Sequence, residues 1–254
     1  MLIAEDLLLL LHDDDSDRPV GGSPSADYAL AGAILIELAM RGRVGMLSSD
    51  ETGGDTGETG ETGGKTRGET GRDLGKNGRL VAIDDSPTGD ELLDRRLAIL
   101  TAKGRTVTKG KVTKNGLRPV NLVPKVAKEL RAELLDRLTD KGILQADRER
   151  VLPVTRWTAR DAGHGLEVRA GLESALKFGN TPSDRTGVLI TLLHAQHVVP
   201  KVLTGPMGRK ALRRRAAEIA TENAAAEGVL GAIQTGVTAA IAVAGTNPPD
   251  AASA

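Results

Sequence analysis

The sequence predicts a mainly α-helical fold: a multi-helix domain around a central buried helix bundle, with one or two short β-hairpins. Three observations carry this prediction. Ala29 to Ile36 is apolar on nearly every side of a helix, which places that helix inside a bundle. From Val123, apolar residues recur at Ala127, Leu130, Leu134 and Leu138, the spacing of one helix face. Val44 to Leu47 and Leu80 to Ile83 are short apolar runs of strand length and read as the arms of a hairpin.

Taken in order, residues 2–12 read as an apolar helix, ended by Asp13 to Asp17 and by Gly21, Gly22 and Pro24. Ser25 to Met40 is the central helix. Arg41 and Arg43 suit its C-terminal pole, and Gly42 supplies its stop. Between the arms of the first hairpin lies residues 50–78, built on Glu-Thr-Gly repeats. It holds a third of the chain's glycines and one large apolar residue, Leu74. Such a segment cannot bury enough surface to offset its ordering entropy, so a disordered loop insert is expected. Thr88 and Glu91 have capping-box spacing ahead of Leu92, Leu93 and Leu97, which starts the next helix. Residues 103–118 are polar and glycine-punctuated and carry no firm assignment.

Gly142 ends the helix that runs through Leu138. Val151 to Trp157 and Leu166 to Arg169 read as a second hairpin turning at Asp161-Ala162-Gly163. Helices are expected over Val188 to Leu203, Arg209 to Ala226 and Val229 to Ala244. The chain is therefore read as one helical domain over residues 1–245, with 50–78 as its insert and 246–254 as a disordered tail.

Composition narrows the chemistry. The 254 residues carry 34 basic and 34 acidic side chains, a formal net charge of zero. A general nucleic-acid binder is usually more basic, so no nucleic-acid partner is expected. There is no cysteine, which excludes disulfides, thiolate metal sites and cysteine nucleophiles. The only aromatic residues are Tyr28, Trp157 and Phe178, so the core must be aliphatic. No stretch offers 18 continuous apolar residues, and Glu5 and Asp6 stand where a signal peptide needs bases. A chain that lies on a membrane rather than crossing it is expected.

Motifs that imitate active sites fail on spacing. Gly60 to Thr66 has three residues, not four, between its first glycine and Gly64-Lys65-Thr66, so it falls short of a phosphate-binding loop. Asp13 to Asp17 lacks the glycine and glutamate that a calcium loop needs, holding Arg18 and Pro24 instead. His194 and His197 share a helix face at i, i+3, but a third zinc ligand is not evident. No serine sits in a nucleophile elbow. Acidic pairs on amphipathic helices, such as Glu129 and Glu133, read as solvated faces, with Glu133 pairing Arg137 at i, i+4. No catalytic residue, metal or cofactor is assigned, and an enzyme is not expected.

The basic residues are more informative. Lys125, Lys128 and Arg131 recur every three positions and are expected to line one helix face. Such an array can supply charge-assisted donors to a phosphorylated head group. A solvated face shared with Glu129 and Glu133 is the plainer reading. Arg209, Lys210, Arg213, Arg214 and Arg215 form a second cluster suited to an anionic bilayer, at about 1 kcal/mol per charge near the surface.

Three strings in a fixed order then resemble one family. They are Ile36-Glu37-Leu38-Ala39-Met40-Arg41-Gly42-Arg43-Val44, Ser86-Pro87-Thr88-Gly89-Asp90-Glu91-Leu92-Leu93-Asp94 and Leu138-Thr139-Asp140-Lys141-Gly142-Ile143-Leu144. Together they resemble the Golgi phosphoprotein 3 family. The resemblance implies a mostly helical domain with a protruding hairpin that binds phosphatidylinositol 4-phosphate as a peripheral membrane protein. It implies residence on the cytoplasmic face of the Golgi, a protein cargo, and self-association through the second hairpin. The repeat-rich texture is closer to a bacterial relative, for which the location becomes the cytoplasm or the inner membrane face.

The family's lipid site uses a tryptophan, an arginine on the central helix and two later arginines. Gapless alignment back from the strings puts the later pair on Lys128 and Arg131, the central arginine on Ala31 and the tryptophan near Gly22. A lysine in place of an arginine loses the bidentate fork, so a weaker or less selective head-group site is expected. In the second hairpin, Leu152, Pro153, Val154 and Trp157 are the apolar residues. The Trp157 ring suits a bilayer interface, and packing beneath the hairpin is the other reading. The function expected is a membrane adaptor for anionic phospholipids through Lys128 and Arg131, with Trp157, Arg209, Arg213 and Arg214 as membrane contacts. The alternative is a winged-helix nucleic-acid binder, since Leu134 to Trp157 reads as a helix, a turn and a β-wing.

Overall fold

A computed structural model describes residues 1–12, 23–47, 78–103, 107–108, 111–112, 116–148, 155–203, 207–225 and 229–246. The predicted insert apart from Gly78, the acidic run at 13–17, Gly22, Gly60 to Thr66 and Leu152 to Val154 lie outside the described residues. So does the predicted tail beyond Thr246.

The chain runs α1 (Ile3–Leu11), α2 (Ser23–Met40), β1 (Val44–Leu47), β2 (Arg79–Ala82), α3 (Glu91–Lys103), β3 (Val107–Thr108) and β4 (Lys111–Val112). There follow α4 (Pro119–Ala127), α5 (Leu130–Asp140), β5 (Leu144–Arg148), β6 (Thr155–Ala159) and α6 (Gly163–Lys177). The last elements are α7 (Asp184–Ala195), α8 (Val199–Val202), α9 (Arg209–Ala225) and α10 (Val229–Thr246). The fold is mainly α. Each pair β1–β2, β3–β4 and β5–β6 forms an antiparallel two-stranded sheet.

Helix α2 is the axis. Leu30, Ala31, Ala33, Ile34, Leu35, Ile36 and Leu38 are all fully buried. It packs against α10, α1, α4, α5 and α7, as a helix that is apolar all round must. Against α10 the approach is close. A Cβ built on Gly32 would lie 2.2 Å from Val237 Cγ1, so only a glycine lets the two helices meet at this distance.

Helix α1 is apolar but carries two buried acids. Glu5 Oε2 accepts the Leu2 amide at 2.7 Å, and Glu37 Oε2 of α2 accepts the Ile3 amide at 2.8 Å. Two amides at the start of α1, which have no partner within the helix, are thereby satisfied by carboxylates. Glu5 Oε1 also accepts from Lys141 at 2.6 Å and Arg137 at 3.1 Å. Asp6 accepts from His164 Nε2 at 2.8 Å and from Arg185 Nε at 2.7 Å.

The glycine stops hold. Gly42 and Gly142 both have φ near +70°. Gly42 N donates to Ala39 O and Arg43 N to Leu38 O; Gly142 N donates to Thr139 O and Ile143 N to Leu138 O. Both are Schellman closures, and each leads straight into a hairpin. The first hairpin pairs Val44 with Ala82 through Leu47 with Arg79.

Three local expectations are corrected. The second hairpin pairs Leu144 with Ala159 through Arg148 with Thr155, so its turn lies between 148 and 155. Leu166 to Arg169 is helical, because Asp161 Oδ1 accepts the Gly163 amide at 2.8 Å and starts α6 there. The cap of α3 is Asp90, not Thr88: its Oδ1 accepts the Leu92 and Leu93 amides at 3.0 and 3.2 Å. Thr88 binds Asp94 instead. The helix expected over 188–203 breaks at His197, whose φ is 59°.

Two predictions follow from this packing. Gly32→Ala is expected to force α2 and α10 apart and to cost about 1–3 kcal/mol, read from urea unfolding. The second concerns Glu5. Burial raises its carboxyl pKa, but hydrogen bonds from Lys141, the Leu2 amide and Arg137 outweigh this and hold it below its ordinary value. An acid depressed in the folded state stabilises the fold above its unfolded value, about 4.3, and that stability is lost as pH falls through the folded value. Acid unfolding should therefore steepen below about pH 4. Glu5→Gln, weaker at neutral pH by roughly 1–3 kcal/mol, should lose less over that interval. Parallel acid titrations of the two proteins check both signs.

Candidate functional site

The predicted basic array falls on a helix break. Pro119 starts α4, and Pro124 removes one donor within it. Lys128 leaves the helix at φ −57°, ψ 123°, and Glu129 is left-handed at φ 60°, ψ 0°. Helix α5 restarts at Leu130, with Leu130, Leu134 and Leu138 turned into the core. Lys125, Lys128 and Arg131 therefore do not share one continuous helix face. They flank one turn.

The three cations differ. Lys125 is exposed. The Lys128 side chain is 79% exposed, and Glu129 approaches it only to 3.7 Å, a surface pair that holds it weakly. Arg131 is 25% exposed, and its Nε donates to Asp27 Oδ1 of α2 at 2.6 Å. Its Nη2 is buried and has no acceptor among the described residues. Ala31, one turn beyond Asp27, is fully buried in the core. An arginine there would carry its charge into aliphatic packing. Asp27 carries no signal in the sequence, where nothing ties it to a residue 104 positions away.

Further along α5, the expected Glu133–Arg137 pair is replaced by contacts between helices. Glu133 binds Arg96 at 2.6 Å and Arg95 at 3.0 Å, both on α3. Arg137 binds Asp90 at 2.7 Å as well as Glu5. Burial raises the Asp90 carboxyl, but Arg137 and the two cap amides hold it below its ordinary value. The cations of α5 are thus committed to folding contacts, Lys128 excepted at its entrance.

The second basic cluster is freer. On α9, Leu212, Ala216 and Ile219 face the core, while Arg209, Lys210, Arg213 and Arg214 are exposed. Arg214 and Arg215 lie 3.7 and 3.3 Å from Glu218. Arg209, Lys210 and Arg213 have no acidic partner among the described residues, and neither does Lys201 on α8, which packs against α9. Cations in the first turn of a helix face its positive pole, which disfavours them by about 0.3–1 kcal/mol each. Folding of α9 does not explain their placement.

Trp157 is half-buried and packs against the core, and its carbonyl accepts from His12 Nε2 at the end of α1. His194 and His197 meet edge to face at 6.3 Å. Burial, and then the neighbouring His197, lowers the His194 pKa. No group of three or more potential metal ligands occurs among the described residues. A cleft at the base of the second hairpin is lined by Leu9, His12, Leu144, Leu166 and Arg169, and none of the predicted site residues lines it.

These features define a class: a helical domain with short hairpin arms whose available cations sit at a helix break and a helix entrance. No helix of the described residues is long and apolar enough to cross a membrane. Residues 3–235 match the Golgi phosphoprotein 3 (GPP34) family, and the chain belongs to that family. A search of the curated proteins returns no match.

Proposed function

We propose that this chain is a peripheral membrane protein that recognises anionic phospholipid head groups, with phosphatidylinositol 4-phosphate as the head group its family resemblance implies. The observation that carries the reading is the exposed pair of cations at the α4–α5 break, Lys125 and Lys128, with Arg131 behind them held by Asp27. A phosphorylated head group supplies charge-assisted acceptors for exposed ammonium groups. Lys128 adds a mobile point charge rather than a planar fork. Lys201, Arg209, Lys210 and Arg213 supply a second cationic surface, which attracts an anionic bilayer over about a Debye length, roughly 8 Å at physiological salt.

The winged-helix alternative finds less support. It needs α5 to present cations to nucleic-acid phosphates, and Arg137 is engaged by Glu5 and Asp90. Among the described residues no nucleophile–base constellation supports an enzymatic role.

The joint change Lys128→Ala and Arg131→Ala is expected to weaken retention on vesicles containing phosphatidylinositol 4-phosphate. At about 1 kcal/mol per charge, the loss is roughly tenfold to thirtyfold. Co-sedimentation at low and physiological salt checks it, with Arg213→Ala as a milder, salt-sensitive comparison. Unchanged retention in the double variant would reject the site.

A further inference from the structure

We propose that the cleft at the base of the second hairpin binds a free α-amino acid with an aliphatic side chain, its carboxylate on Arg169 and its ammonium group on Asp161. None of the head-group residues lines this cleft, and the lipid reading does not depend on it.

Leu9 and His12 reach the cleft from the end of α1, Leu144 from the start of β5, Asp161 from the turn after β6, and Leu166 and Arg169 from the first turns of α6. The walls are mainly aliphatic, yet Leu166 is 64% exposed, the highest value of any large aliphatic side chain among the described residues. Gly165 also borders the cleft. Its backbone is not left-handed, and a Cβ built on it meets no atom within 4 Å. Helix α6 therefore gains nothing from a glycine there, and any side chain at 165 would extend into open space. The cleft has a volume of about 80 Å³, room for roughly five to eight groups the size of a water molecule.

The charges select the ligand. Arg169 is half-buried and has neither a hydrogen bond nor an ion pair among the described residues. Asp161 Oδ1 accepts the Gly163 amide at 2.8 Å, which leaves Oδ2 for a second donor. The two residues line one cleft without pairing with each other. A lone anion is drawn by Arg169 and repelled by Asp161, and a lone cation meets the reverse. A zwitterion satisfies both. Its carboxylate takes the guanidinium fork, and its ammonium group donates to Asp161 and His12. His12 gives its Nε2–H to the Trp157 carbonyl, so Nδ1 of the neutral ring is an acceptor. An aliphatic side chain of leucine size then covers Leu166 and packs towards Leu9 and Leu144. A peptide end carries only one of the two charges, so the occupant is a free amino acid.

The test is an amide NMR titration of the whole chain with leucine. The Leu166 and Arg169 signals of the wild type should shift and saturate. Isocaproate, which lacks the ammonium group, and leucinol, which lacks the carboxylate, should each bind about tenfold more weakly or worse. Glycine, which lacks the side chain, should give no saturable shift. Arg169→Gln should weaken leucine binding by a similar factor. Asp161→Asn keeps an oxygen for the Gly163 amide and removes the charge, so it should weaken leucine and tighten isocaproate. Gly165→Leu should fill the cleft and abolish the response while the melting temperature holds or rises, since leucine is the better helix former. Thermal melting confirms that every variant is folded. No saturable shift with leucine in the wild type overturns the site. Isocaproate or leucinol binding as tightly as leucine overturns the zwitterion assignment, and equally tight binding of the dipeptides Leu-Gly or Gly-Leu overturns the free amino acid. Undiminished leucine binding in Arg169→Gln or in Gly165→Leu overturns the placement in this cleft.

Discussion

The fold depends on how three buried carboxylates are answered. An apolar helix that carries Glu5 and Asp6 into the interior incurs several kcal/mol of desolvation per charge unless donors meet each one. Here they are met from nearly every side. Glu5 binds the Leu2 amide, Arg137 and Lys141; Asp6 binds His164 and Arg185; Glu37 binds the Ile3 amide and Arg41. The donors come from α1 itself, α2, the end of α5, α6 and α7. Arg137 also grips Asp90, the cap of α3. Burial of Leu7, Leu8, Leu10 and Leu11 drives α1 inward, at roughly 1.5–3 kcal/mol for each side chain. Apolar burial is non-directional, whereas the carboxylates accept only one arrangement of the surrounding helices.

That arrangement also places the α4–α5 turn. Helix α5 is tied at its C-terminal end to Glu5 through Arg137 and Lys141, and at its N-terminal end to Asp27 through Arg131. The Lys128–Glu129 break therefore sits at a fixed place beside the start of α2. Its position follows from the network that seats α1, not from any contact of Lys128.

What the sequence disclosed follows from the range of each interaction. The central helix was legible because its apolar residues leave no polar face, and the first hairpin because its two runs are apolar and of matching length. The stops at Gly42 and Gly142 were legible because a left-handed closing residue favours glycine. The second hairpin was misplaced because Leu144-Gln145-Ala146-Asp147-Arg148 lacks the aliphatic texture of a strand and was passed over for Leu166 to Arg169. The cap at Asp90 was missed in favour of a capping-box spacing two residues earlier. At the candidate site, Lys128 and Arg131 could be named from spacing and resemblance. The break between them could not, since Glu129 in a left-handed conformation has no sequence signature. Asp27 could not either, because its role exists only once α5 lies against α2.

The charge inventory explains why a neutral chain can still hold a cationic site. Most arginines of α3 and α5 are consumed by carboxylates, Arg95 and Arg96 by Glu133, Arg137 by Glu5 and Asp90. Among the described residues many of these charges are paired internally, and the exposed remainder is what a partner meets. At the α4–α5 turn three departures from ordinary folding preference coincide. Pro124 removes a donor within α4, Glu129 adopts a left-handed backbone that costs a non-glycine residue on the order of 1–3 kcal/mol, and Arg131 keeps a buried donor unmet. Departures of this kind are tolerated where surrounding structure over-determines them, and they gather where a protein does something other than fold. Their convergence on one turn, beside the exposed Lys128, makes that turn the place at which the proposed site is best tested.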